Sequence, residues 1–267
     1  MSELLVSSSE PDQEKCVLEV TPESAGWKYV GFAVHILAQG DSLARRLENR
    51  EICIVVLTGT ITVEAGDETF SELGRRESVF DELSPFAVYV PPATAINITA
   101  HSDAEIALCS APSSGGSSAR VIRPESISVD ERGSGTNLRF VRNILPETEE
   151  ADSLLIAEVI TPGGHWSSYP PHKHDTDNVP EESALEETYY HRLNPPQGFV
   201  FQRVYTDDRS IDETLSVYDG DVVLVPRGYH PVGAPHGYDS YYLNVMAGPR
   251  RTWIFTNDPE HEWMVLD

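Results

Sequence analysis

The sequence predicts an all-β chain built as two tandem β-barrels, and three observations carry that prediction. Helical periodicity is scarce. Short β-branched and aromatic runs recur instead, punctuated by Gly, Pro, Asp and Asn. The style of the first half returns in the second, on the far side of a Gly/Ser segment. At 267 residues the chain is long enough for two modest domains of roughly 100–200 residues each. A composition of 40% hydrophobic and 23% charged residues supplies the apolar material for their cores.

Taken in order, residues 1–24 read as an N-terminal tail. Its start, MSELLVSSSEPDQEK, is acidic and polar and does not match a signal peptide. In the first half, residues 53–57 and 61–64 read as two strands around a tight turn at Gly59. Residues 87–90 and 96–99 flank Pro91-Pro92, and residues 105–109 form a further strand. The run PSSGGSSAR at 112–120 has the composition of a flexible connection. The expected division is therefore a first barrel over 25–118 and a second over 119–267. In the second half, residues 154–160, 188–193, 199–205, 215–218, 221–225, 241–246 and 252–255 read as strands. Many short strands at even spacing indicate a sandwich or barrel. The acidic stretch DTDNVPEESA at 175–184 reads as a surface loop. An echo between Val88-Tyr89-Val90-Pro91-Pro92 and Val222-Val223-Leu224-Val225-Pro226 fits a duplication.

The charge balance excludes some partners. Nineteen Lys and Arg face 43 Asp and Glu, a net charge of −24. Such a chain repels phosphate backbones, so neither nucleic acid nor an anionic membrane is an expected partner. No run approaches the roughly 18 apolar residues of a transmembrane helix. The three cysteines, Cys16, Cys53 and Cys109, are scattered and odd in number, which fits a reducing compartment, the cytoplasm. The acidity itself reads as a solvated surface.

Seven of the nine histidines lie between His165 and His261. In an extended strand, residues two apart share a face, so His172 and His174 aim two imidazoles at one point and Lys173 turns away. Glu186 and Glu187 open the next strand, and His230 follows the turn Pro226-Arg227-Gly228. Two or three imidazoles with one carboxylate suit Zn²⁺, Mn²⁺ or Fe²⁺. A lone histidine is more often a surface or hydrogen-bonded core residue, which is the reading for His35 and His101. The cluster as a whole is far more specific.

These residues resemble a known family. Gly164, His172, His174, Glu187 and Gly198 resemble the first cupin motif, and Gly220, Pro226, Gly228 and His230 the second. The runs WSSYPPHKHD (166–175), LEETYYHRLNPPQGF (185–199), QRVYTDDRSIDE (202–213), DGDVVLVPRGYHPV (219–232) and YYLNVMAGP (241–249) are similar to the 5-deoxy-glucuronate isomerases of myo-inositol catabolism. The resemblance is dense over about 130–263 and looser over 25–110, where GRRESVF and AVYVPP carry it. It implies two tandem cupin barrels and isomerisation of 5-deoxy-D-glucuronate to 5-dehydro-2-deoxy-D-gluconate. A related pectin-pathway isomerase implies a metal held by three histidines and a glutamate, which map to His172, His174, Glu187 and His230. The first barrel lacks such a set and reads as structural.

An aldose–ketose isomerisation moves a proton between adjacent carbons, and a divalent metal with open positions stabilises the enediolate as a Lewis acid. One ion per chain is expected, Zn²⁺ ahead of Mn²⁺ or Fe²⁺, since the reaction is redox-neutral. Tyr189 and His191 share strand parity with Glu187 and, with Tyr229, are the catalytic candidates; Tyr189 reads equally as a core aromatic. Arg203 and Tyr205 share a face on the next strand, and Arg203 is the expected anchor for a substrate carboxylate. Lys173 joins them as a substrate-binding candidate only if its strand is bulged. Two other functions fit the same ligands: a cupin dioxygenase, or a non-catalytic sugar-binding bicupin. A small sugar acid and further copies of the same chain are the expected partners.

Overall fold

The computed structural model describes residues 2–265. The chain divides into two compact units: Ser8–Ser128 with Asn143–Leu154, and Met1–Ser7 with Val129–Arg142 and Leu155–Asp267. Both are built almost wholly of antiparallel strands.

In the first unit a six-stranded sheet runs Arg120–Ile122, Ala87–Val90, Arg50–Thr58, Ala104–Pro112, Gly31–Leu37, Cys16–Val20. A four-stranded sheet of Ser42–Arg45, Ile96–Ala100, Ile61–Ala65 and Glu68–Leu73 completes it. Sequence pattern and burial agree strand by strand. Ile61–Ala65 alternates buried and less buried residues, as a strand with one wet face must. Arg50–Thr58 is buried along seven consecutive residues, and after Glu51 its sequence is correspondingly a continuous apolar run, Ile52 to Leu57. Leu37, Ile54, Val63, Val88, Ile98 and Ile106 meet in the core between the sheets.

The second unit repeats the plan. Its seven-stranded sheet runs Leu5–Val6, Val222–Val225, Glu186–Asn194, Asp239–Ala247, Leu155–Thr161, Arg139–Leu145, Ser128–Arg132. A four-stranded sheet of Trp166–Ser167, Val232–Gly233, Val200–Tyr205 and Asp212–Val217 accompanies it. Val141, Val159, Leu193, Val200, Val204 and Val223 form the core between them. Alternation then fixes which neighbours look inward: Glu187, Tyr189 and His191 on one strand, Gln202 on another, Tyr242 and Asn244 on a third.

The expected domain limits need correction. The first residues are not a tail outside the barrels, because Leu5 and Val6 pair with Val223 and Val222 as an edge strand of the second unit. The Gly/Ser segment is not a linker. Ser113 Oγ, Ser114 N and Gly115 N all donate to Asp152 Oδ2, at 2.7, 2.8 and 3.1 Å. Those donors hold the Asp152 carboxyl below its ordinary range, with Ser113 the largest influence. Small residues there serve close backbone packing around an anion. The stretch 175–184 is a short hairpin, Asp175–Asn178 with Glu182–Ala184. Residues 252–255 form no strand; pairing begins at Thr256–Asn257.

Candidate metal centre

His174, Glu187 and His230 bring three ligand atoms within 4.8 Å of one another inside the second unit. Each arrives from a different element. His174 follows the short strand His172–Lys173, which pairs with Thr256–Asn257. Glu187 is the second residue of Glu186–Asn194, opposite Val225 and Met246 on its two neighbours. His230 follows a turn that only glycine permits at position 228. There φ is +91°, and a Cβ would lie 2.4 Å from the Tyr205 carbonyl oxygen. Paired backbone bonds between Tyr205 and Tyr229, at 2.8 and 2.9 Å, lock that turn to the neighbouring strand.

The imidazoles are oriented from behind. His230 Nδ1 lies 2.8 Å from the Gly228 carbonyl, and His174 Nδ1 lies 3.3 Å from that of Leu185. A carbonyl only accepts, so Nδ1 carries the hydrogen in both rings and Nε2 faces the cluster. His174 Nε2 is 3.0 Å and His230 Nε2 3.3 Å from the same oxygen, Glu187 Oε2. His230 Nε2 is buried and, among the described residues, makes no hydrogen bond. A buried lone pair beside a buried carboxylate and a second imidazole is the donor set of a borderline divalent ion.

Electrostatics separate the three histidines. Burial lowers His230 to about 3, against the pull of Glu187. Burial also lowers His172 to about 3, helped by the charges of His174 and Arg139. His174 feels the same burial, yet its hydrogen bond and charge pairing with Glu187 win and raise it above its ordinary value. His172 stands beside the trio, its ring centroid 5.0 Å from that of His230 and 6.4 Å from that of His174. Phe255 packs on its ring at 4.6 Å.

Tyr189 points into the same interior. Its ring lies 5.6 Å from that of His230 and 4.8 Å from that of Tyr242, and its hydroxyl is 2.9 Å from Ser168 Oγ. Burial, with Glu187 nearby, pushes its phenol well above the ordinary value, so it stays protonated. His191 sits deeper, its Nε2 donating to Gln202 Oε1 at 2.9 Å, while Gln202 Nε2 donates to the His230 carbonyl at 3.4 Å.

The other candidates are not brought to this cluster. Val200, Gln202 and Val204 fill the interior from Val200–Tyr205, so Arg203 and Tyr205 lie on the outer face. Arg203 already forks onto Asp212, at 2.8 and 2.9 Å, with its side chain 42% exposed. Tyr205 donates to Asp258 at 2.6 Å. Lys173 turns away, as parity predicts, to Asp175 at 3.2 Å and Asp207 at 2.8 Å. The strand is not bulged toward the site. Tyr229 donates to Asp207 at 2.9 Å. Four residues near the cluster went unread in the sequence: Ser168, Gln202, Tyr242 and Arg139. Register would have found Tyr242, which lies directly opposite His191.

The family model described as KduI/IolB family matches residues 4–264. A 5-deoxy-glucuronate isomerase of Geobacillus kaustophilus (strain HTA426) is 55% identical over 265 residues, covering 99% of this chain and 96% of the relative. Its counterpart of Bacillus subtilis (strain 168) is 56% identical over 252 residues, covering 94% of this chain and 93% of the relative. A crystal structure of an IolB-like protein from Salmonella typhimurium LT2 superposes with a TM-score of 0.95 at 49% identity, covering 98% and 99% of the two chains. Bacillus subtilis oxalate decarboxylase, at a TM-score of 0.64 and 13% identity over 96% of this chain and 80% of the other, shares the bicupin fold alone. With a family match over almost its whole length and full-length relatives above 50% identity, the chain belongs to the KduI/IolB family.

Proposed function

We propose that this protein is a metal-dependent 5-deoxy-glucuronate isomerase, converting 5-deoxy-D-glucuronate to 5-dehydro-2-deoxy-D-gluconate in myo-inositol breakdown. The observation that carries the reading is the buried His174–Glu187–His230 trio within a chain 55% identical, end to end, to a protein bearing that name. His172, whose ring centroid lies 5.0 Å from that of His230, is the fourth ligand in this reading. One ion per chain sits in the second barrel. Zn²⁺ is the first choice for a redox-neutral reaction; Mn²⁺ is the next, since Mn(II) centres are described in an oxalate decarboxylase of the same fold.

When bound, the ion supplies Lewis-acid stabilisation of negative charge on the sugar oxygens. The chain's own residues do the rest. Carbonyl-anchored imidazoles and Glu187 hold a fixed set of donor atoms with no rearrangement. Tyr189, kept protonated by burial, can donate a hydrogen bond to a substrate oxygen while its own oxygen accepts one from Ser168 Oγ, 2.9 Å away. His191, neutral at physiological pH, supports Tyr189 from beneath at a centroid distance of 6.1 Å. The three free cysteines fit a cytoplasmic home, and a homo-oligomer belongs to the same reading.

The test joins metal analysis to an NMR assay on 5-deoxy-glucuronate. One ion per chain is expected, with His174→Ala losing both metal and turnover while its circular dichroism spectrum is unchanged. Two ions per chain, or none in an active preparation, sinks the reading.

A further inference from the structure

An anionic sugar acid has to enter a chain of net charge −24, whose long-range field opposes it. A local cation must reverse that field at the site. The obvious cations are spent elsewhere: Arg203 on Asp212, Lys173 on Asp175 and Asp207, and Arg142 on Glu158 at 2.9 Å.

Arg139 is different. It opens the strand Arg139–Leu145, two residues before Val141, whose side chain packs in the core with Tyr189 and Tyr242. Parity therefore turns Arg139 to that same interior. Its Nη1 donates to two carbonyls, Asn137 at 3.1 Å and Tyr169 at 3.2 Å. Tyr169 directly follows Ser168, the partner of Tyr189. Gly133 makes room: a Cβ there would lie 2.8 Å from Arg139 Nη1. Among the described residues Arg139 meets no carboxylate, and its Nε and Nη2 meet no acceptor. That Nε/Nη2 edge is the one Arg203 uses to grip Asp212. The Arg139 charge is felt at His172 and at Tyr242. Arg132, whose charge Arg139 feels, lies 3.8 Å from Asp130 and over the Trp253 ring.

We infer that Arg139 anchors the substrate's carboxylate, with Nη1 tethered to the backbone and the open Nε/Nη2 edge forming a bidentate pair. This rests on the isomerase reading for the identity of the substrate. The anchor end would then fix which end of the sugar faces the metal centre, making Arg139 a specificity-determining residue.

The experiment uses the metal-loaded enzyme and reads two things: kcat and KM on 5-deoxy-glucuronate, and calorimetric binding of D-glucuronate against its neutral amide, D-glucuronamide. Wild type should prefer acid over amide. Arg139→Gln keeps a donor for the Tyr169 carbonyl but removes the charge. It should raise KM by about 10–100-fold, the range for a lost charge-assisted pair, with kcat within about threefold, and should bind acid and amide alike. Arg139→Lys should fall between, because it keeps charge without the planar fork. Arg203→Met should behave as wild type. An active wild type without acid preference overturns the inference. So does an Arg139→Gln enzyme that discriminates as wild type does, or an Arg139→Lys enzyme with wild-type KM should Arg139→Gln fail to fold. An enzyme that ignores 5-deoxy-glucuronate yet shows Arg139-dependent preference for the acid would instead refute the isomerase reading and leave the anchor standing.

Discussion

His191 offers a sharp test of how this interior treats charge. It is fully buried, its Nε2–H donates to Gln202 Oε1, and its Nδ1 has no partner among the described residues. Gln202 cannot turn over to help, because its amide nitrogen serves the His230 carbonyl. Protonation would bury a charge and create an N–H with no acceptor. Burial accordingly lowers His191 from 6.5 to about 4, the Gln202 bond opposing it only in part. The folded value lies below the unfolded one, so between pH 6.5 and about 4 the unfolded chain binds a proton that the folded chain refuses. Stability therefore falls as pH drops through that window, and this histidine contributes no pH dependence above it. At ~1.4 kcal/mol per pH unit the loss reaches about 3 kcal/mol by pH 4. His191→Gln removes the titrating group. The stability gap between wild type and variant should close by about 3 kcal/mol from pH 7 to pH 4, whatever the gap at pH 7 is. Urea unfolding of chelated protein measures it. In a Trp27→Phe background the remaining tryptophans, Trp166, Trp253 and Trp263, all report on the second unit. A gap that stays constant across that range would show that His191 accepts its proton at an ordinary pH, and the argument from its buried neutral state would fall.

Two further outcomes concern the first unit. Glu51 is wholly buried and accepts four hydrogen bonds: Ser153 N and Leu154 N on Oε1, both at 2.7 Å, and Tyr89 Oη and Asp152 N on Oε2, at 2.7 and 2.9 Å. Glu51→Gln replaces one acceptor by a donor, and the stranded pair should cost about 2–5 kcal/mol, seen as a lower urea midpoint in Trp27 fluorescence; an unchanged midpoint contradicts it. Burial pushes Cys53 to about 12 and Cys109 well above its ordinary value; it raises Cys16 as well, but that thiol is only half-buried. A thiol reagent at pH 8 should modify at most one cysteine in folded protein and all three in urea; rapid loss of two thiols in the folded state would disprove the packing described.

How much of this was legible in the chain depends on the range of the interaction. Alternation and apolar runs are local, and they placed both barrels and most strands, including Ala87–Val90 without error. The HxH pair, Glu187 and the Pro-x-Gly-x-His turn are also local, and the fold does bring His174, Glu187 and His230 together. Parity told correctly that Arg203 and Tyr205 share a face, but parity has no sign. Which face looks inward was decided by Val200 and Val204 meeting the core across the barrel. Two side chains of the outer face, Arg203 and Tyr205, were thus credited with site roles. The strand Arg139–Leu145, with the unpaired edge of Arg139, went unread because RFVRNIL alternates poorly and its arginines differ only in their neighbours. One meets Glu158, the other backbone carbonyls. The chain's first strand and the tie from Asp152 to the Gly/Ser segment join residues far apart in sequence. Local chemistry sets what each residue can do; burial and register, which exist only once distant strands pair, set which of them does it.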